Sequence, residues 1–330
     1  MTGKELSKGS CKKVYYLNDD ETKVISLRKV GQKEKRSQTE FNADIKIFRE
    51  GGLLHSLLGE YKGPIADKVG KCVPTTKLKL CWGRSCSETQ EIDYFTSSKF
   101  TYSLDRFVET DIFRNDFKTF KDKFKDCLVF LKKMHDIKVG HFDLKEDNIG
   151  VYMNGESLDK IILMDWGTAQ INTEAQVNTK LFGTPDYWDY EMDKYTNGEL
   201  EDREPDILKS DVYSIGIVLV SIFIVASLVS NGKRNIFKKH FETYMNGIWK
   251  IFGKYKDIED YAAIKKEGLE APHKFKELLE SLRKTDKKTN MLSENEIPKL
   301  VELVENMLKQ HRTDRFDMNQ VINHEFWTTQ

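Results

Sequence analysis

At 330 residues the chain has room for one large domain or two modest ones, with a sizeable buried core. Charged residues make up 32% of it but balance at 53 basic against 53 acidic, which argues against a bulk electrostatic pull toward nucleic acid or an anionic membrane. Five cysteines (Cys11, Cys72, Cys81, Cys86 and Cys127) include no CxxC pair and no neighbouring histidine at zinc-ligand spacing, so reduced, unpaired thiols are expected.

The opening MTGKELSKGS is polar, with no apolar stretch behind it, and does not read as a secretory signal; the expectation is a cytoplasmic protein, in its own cell or in a host cell. The runs KKVYYL, KVISLRKV, PTTKLKLCW and QEIDYF, with the polar turn NDDET after the first, predict a small antiparallel sheet. Between the second and third runs, Phe41, Ile45, Phe48 and Leu53 recur at roughly helical spacing and predict one interrupting helix. From about residue 104 the period changes. Phe117, Phe120, Phe124, Leu128, Leu131 and Met134 step by three and four, which predicts an amphipathic helix ending near Gly140. IGVYM and KIILMD then flank Asn154-Gly155, a hairpin signal. The most apolar run, Ile215 to Val229, is about fifteen residues long, short of the ~18 to 20 that cross a bilayer, and predicts a buried helix rather than a membrane span. EDREPD and RKTDKKTN read as exposed loops, and no internal repeat stands out.

The segment HFDLKEDN at 141–148 places Asp143 and Asn148 five residues apart, just after the long helix. Seventeen residues further on, beyond the hairpin, comes Asp165 in MDWG, so the turn can bring a third oxygen ligand beside the first two. Magnesium takes one or two hard oxygen ligands from protein and the rest from phosphate and water. That suits Asn148 and Asp165 as metal ligands and leaves Asp143 to act as a base.

These motifs resemble those of the eukaryotic-type protein kinases. HFDLKEDN is similar to the catalytic loop H-R-D-L-K-x-x-N, and DWG is similar to D-F-G. GTPDYWDYE at 183–191 resembles GTPxYxAPE, SDVYSIG at 210–216 resembles S-D-V-W-S-L-G, and HRTDRFDMNQVINHEFW resembles the closing D-P-x-x-R-x-T segment. The resemblance covers nearly the whole chain. It implies an α+β bilobal fold, with a small β-rich lobe at 1–96 carrying one helix, a hinge at 97–103 and a larger, mainly helical lobe at 104–330.

Site residues follow position by position. LSKGSCKKVY at 6–15 aligns with the glycine-rich loop, keeping Gly9 of its glycines and followed by Val14; Ser7 and Lys12 stand where glycines are usual. ISLRKV at 25–30 resembles V-A-I-K-K-V, which puts Ser26 against adenine and Arg28 at the phosphate-binding lysine position, while a slip of one residue would give Lys29 that role. Asp44 matches the acidic partner in the following helix, with Glu40 one turn earlier. Thr96 counts as the gatekeeper, with adenine near 96–100. Cys11, in the phosphate-covering loop, is expected to be inert.

The resemblance also separates catalytic from supporting residues. Asp143 and Lys145 would act on the transferred phosphate and the substrate hydroxyl, whereas His141 and Trp166 would pack behind the loop, and Glu191 and Arg315 would form a buried bridge. The implied function is ATP- and magnesium-dependent phosphoryl transfer to serine or threonine of protein substrates, with no nucleic-acid partner. The alternative is a pseudokinase that binds nucleotide or partners. A small-molecule phosphotransferase shares an H-x-D-x-x-x-x-N loop but lacks the GTPDYWDYE-type segment. Phe142 replaces the arginine of H-R-D, so an active enzyme is expected to work without activation-loop phosphorylation.

Overall fold

The computed structural model describes residues 2–8, 12–17, 20–28, 68–72, 92–171, 183–189, 191–192, 208–230, 271–285, 291–309 and 311–329. They fall into two compact units, residues 1–100 with 165–168, and residues 101–164 with 169–330.

The first unit holds a five-stranded antiparallel sheet in the order β1-β2-β3-β5-β4, built from Thr2–Lys8 (β1), Lys12–Leu17 (β2), Asp20–Arg28 (β3), Lys68–Cys72 (β4) and Ile92–Ser98 (β5). Side chains alternate across a strand, so Val24, Ser26 and Arg28 share one face of β3, and all three are buried. The pairing puts Val14 opposite Ser26, Lys12 opposite Arg28, and Ile25 opposite Thr96. Three of the four strand runs read from the sequence appear as β2, β3 and β5. PTTKLKLCW and the helix around Phe41 to Leu53 lie outside the described residues, as do Gly9, Cys11, Lys29, Glu40 and Asp44.

The second unit is mainly helical. A short strand Tyr102–Ser103 (β6) leads into Leu104–Phe107 (α1), Asp111–Asn115 (α2) and the long helix Phe117–Asp136 (α3). Asp116 caps α3 by accepting from the Thr119 amide at 3.3 Å, and the six apolar residues read from the sequence all face inward. Their aromatic members extend a chain of ring contacts from Phe107 through Phe113, Phe117 and Phe120 to Phe124, which meets Trp327. Lys138, at φ 62°, turns the chain into Val139–Gly140 (β7).

The hairpin forms where the sequence marks it. Ile149–Asn154 (β8) pairs with Ser157–Leu163 (β9), and Gly155 takes φ 61° at the turn. β6 pairs with β8, and Gln170–Ile171 (β10) returns to pair with β7.

The buried core helix is Lys209–Ser230 (α4), longer than the apolar run suggested. It is long and apolar enough to cross a membrane by length and composition, yet its stretch Lys209–Ser227 is enclosed by protein. Ala271–Thr285 (α5) and Glu296–Met307 (α6) pack against it. The α4 to α6 approach is close at Gly216, where a Cβ would come 2.8 Å from Leu308 Cδ2. Pro298 is tolerated because it lies in the first turn of α6, where its missing N–H has no helical partner to lose. The last helix, Met318–Ile322 (α7), opens with a reciprocal capping box between Asp317 and Gln320.

Candidate active site

The catalytic-loop segment is hung from the first turn of α4. Buried Asp211 accepts from the backbone amides of His141 and Phe142, each at 2.8 Å, and lies 3.0 Å from His135 Nε2. A carboxylate that gathers two backbone amides fixes the loop's entry without any help from substrate. His141 is wholly buried, with Nε2 2.8 Å from the Met164 carbonyl and Nδ1 accepting from the Asp143 amide at 3.3 Å. It braces the loop from behind. Phe142 sits at φ 62°, its ring where a side chain at Gly140 would have to go and its carbonyl against Gly183.

On this support four polar side chains converge. Lys145 Nζ donates to Asp143 Oδ2 at 3.1 Å and to Thr184 Oγ1 at 2.6 Å, and the Thr184 hydroxyl in turn donates to Asp143 Oδ1 at 2.7 Å. Asn148 Nδ2 donates to the Asp143 carbonyl at 2.7 Å and to Oδ2 at 2.9 Å. Asp143 is therefore an acceptor held in one orientation by an ammonium, a hydroxyl and an amide. Thr184 is its direct contact from the GTPDYW segment, a residue that the motif alone does not single out.

The residues fit a magnesium-bound nucleotide. Asn148 spends its amide nitrogen on Asp143, so its carbonyl oxygen is the atom left to meet a hard cation, and Asp165 carries a second oxygen donor. No cluster of three or more His, Cys, Asp or Glu poised for a metal occurs among the described residues. The Met164 amide donates to the Asn148 carbonyl at 2.8 Å, immediately before Asp165 in the chain, and Asp165 takes the left-handed φ of 59° that Asp tolerates better than most residues. Trp166 is fully buried. In the sheet unit, Ser26 and Arg28 are buried on β3 and Val14 is half-buried on β2.

The sequence reading missed Glu146. It lies inside the catalytic loop, 2% exposed, and accepts from the Tyr187 hydroxyl at 2.5 Å. Burial pushes its carboxyl up to about 7, against the Ser221 and Tyr187 hydrogen bonds that would lower it. Burial, and then Glu146 itself, push the Tyr187 phenol up, so it stays a donor. Beside it, burial and then Asp105 raise Asp147. No local pattern announces the Glu146–Tyr187 link, because its members are 41 residues apart.

One expected pairing is corrected. Arg315 does not bridge to Glu191 but bonds to Asp189, two residues earlier, which Arg312 also grips. Glu191 lies 3.3 Å from Arg312 Nε instead. Arg315 also donates to the carbonyls of Lys309 and Lys209, at 2.8 and 2.9 Å, which aims its guanidinium at the fully buried carboxylate. Burial alone would raise Asp189, but the guanidiniums of Arg315 and Arg312 outweigh it and hold the carboxyl well below the usual range.

The chain is similar to known proteins along nearly its whole length. A protein kinase domain model matches residues 1–327. The human Death-associated protein kinase 2 is 31% identical over 94 residues, 28% of this chain and 23% of that protein. A Drosophila melanogaster "Death-associated protein kinase related" protein is 33% identical over 95 residues, 28% of this chain and 13% of that protein. The matched stretches thus span less than a quarter of each curated relative. Among solved structures, the yeast RNA Pol II CTD kinase CTDK-1 complex aligns with a TM-score of 0.56 over 98% of this chain and 91% of that one, at 17% identity, which speaks for the fold alone. With the domain matched almost end to end, the chain belongs to the protein kinase family.

Proposed function

We propose that the protein transfers the terminal phosphoryl group of ATP to serine or threonine hydroxyls of protein substrates, with magnesium as the metal. The observation that carries this reading is the set of contacts holding the Asp143 carboxylate between Lys145, Asn148 and Thr184. Asp143 accepts the proton of the acceptor hydroxyl as its oxygen bonds to the phosphorus and the bridging P–O bond to ADP breaks. Lys145 offsets charge on the transferred group, and Thr184 holds both it and Asp143 in register. Asn148 and Asp165 would hold the magnesium and Arg28 or Lys29 the α and β phosphates, with Ser26 and Val14 against the base, Gly9 over the phosphates and Asp44 as the acidic partner of Arg28. Bound magnesium supplies the positive charge that draws the phosphates into line.

A second reading is a regulatory kinase-like module without transfer activity. It is favoured by an arginine, 7% exposed, where a lysine is usual, and by a glycine-poor loop at 6–15. A complete Asp143, Asn148 and Asp165 set favours catalysis, because a scaffold has no chemical use for it. Radiolabelled phosphate transfer to generic proteins, with Asp143→Asn as control, decides between the two. Transfer that survives Asp143→Asn, or no transfer by the wild type, sinks the catalytic reading.

A further inference from the structure

Two segments of the helical unit meet twice. The catalytic loop contributes Asp143 and Lys145 at one point and Glu146 at another; residues 184–187 contribute Thr184 and then Tyr187. Thr184 and Tyr187 form one turn, closed by the Tyr187 amide donating to the Thr184 carbonyl at 3.0 Å. Ser214 of α4 pins the same turn by donating to the Tyr187 carbonyl at 2.8 Å.

The two meeting points differ in their exposure to water. Thr184 is half-buried, so water and an incoming hydroxyl can compete for its contacts with Asp143 and Lys145. The Tyr187 to Glu146 bond is buried, and a desolvated bond to a carboxyl is both stronger and harder to replace. A turn held at its buried end keeps its direction while its exposed end exchanges partners.

We propose that Glu146 is a positioning residue for the phosphoryl acceptor: by holding Tyr187 it fixes the turn that presents Thr184 to Asp143 and Lys145. The inference rests on the phosphotransfer reading above and names a residue outside the reacting groups. It assigns Glu146 an effect on the protein acceptor and none on nucleotide, because neither Tyr187 nor Glu146 is among the residues proposed to hold ATP.

Steady-state kinetics on the full chain, varying ATP and a generic protein acceptor separately, test it in the wild type, Tyr187→Phe, Glu146→Gln and Glu146→Ala. Tyr187→Phe keeps the ring and removes the hydroxyl, so kcat/KM for the acceptor should fall about tenfold while the KM for ATP stays within about twofold. Glu146→Ala should match it. Glu146→Gln keeps an oxygen to accept from Tyr187 and should return to within about threefold of wild type. If Glu146→Ala fails to fold, Tyr187→Phe against Glu146→Gln still decides. Unchanged acceptor kinetics in Tyr187→Phe, or equal losses toward ATP and acceptor, overturn the inference while leaving the proposed activity standing. A wild type that transfers no phosphate overturns both.

Discussion

Arg312 grips Asp189 with two arms of its guanidinium, Nε to Oδ2 at 3.2 Å and Nη2 to Oδ1 at 3.1 Å. Arg315 reaches the same carboxylate, and Ser210 donates to Oδ2 at 3.1 Å, so one buried anion answers for two buried cations.

Asp189→Asn should therefore cost about 3–5 kcal/mol of stability, because it takes the buried counter-charge from Arg315 and leaves Arg312 with Glu191 alone. The sign with pH is set by the depressed carboxyl. Its contribution is present above the ordinary value of 3.8 and is lost as pH falls below it. Urea unfolding of wild type and variant should show a gap that narrows as pH falls through that range. A gap that does not change with pH would show that the loss does not come from the ionised carboxylate.

Asp165→Asn should abolish magnesium-dependent transfer, by roughly a hundredfold or more, with the fold intact. Asparagine is the right probe because Asp165 sits at φ 59°, where alanine would add about 1 kcal/mol of backbone strain and blur the result. A circular dichroism melt run beside the assay separates the two effects. Near-wild-type transfer in a folded variant would remove Asp165 from the metal.

Arg28→Ala should weaken ATP binding about tenfold or more, and Lys29→Ala far less, when both are ranked by isothermal titration with magnesium. Arg28 shares the buried face of β3 with Ser26 and Val24. The reverse ranking would move the phosphate contact one residue along the chain.

Phe142, buried at the position of the H-R-D arginine, offers no cation to a phosphorylated activation loop. A phosphatase-treated sample and a Thr173→Ala, Thr179→Ala double variant should both keep their activity. Both threonines lie outside the described residues, and Lys180 is the basic residue that could replace the missing arginine. A loss beyond about tenfold, or ~1.4 kcal/mol in the barrier, would show that the loop needs its phosphate.

Local rules made part of this architecture readable. The Asn154-Gly155 signal is met by a turn with Gly155 at positive φ, and the three- and four-residue steps from Phe117 to Met134 are the buried face of α3. Asp143 and Asn148 were legible because a short loop brings close neighbours in sequence together, and Lys145 through the resemblance of HFDLKEDN to the kinase catalytic loop. Asp189 was not. It and Glu191 offer the same charge two residues apart, and the choice between them is made by the carbonyls of Lys309 and Lys209 that aim Arg315. Strand β4, KVGKC, is too short and polar to alternate visibly. Helix α4 hid its true length because a helix buried on all sides has no periodic face to read.

That enclosure bears on how the chain comes into being. Within this stretch, α5 and α6, which cover α4, are supplied by residues 271–307, so α4 leaves the ribosome well before its lid exists. At ~5–20 residues per second the interval lasts several seconds, during which an apolar segment of bilayer length is covered only by the earlier part of its own fold, such as Phe117 against Phe223. Chaperones and membrane-insertion machinery read such segments by hydropathy, so biosynthesis of this protein is a race between late helices and early captors. Shortening the chain before residue 307 would forfeit that race and leave α4 open to aggregation.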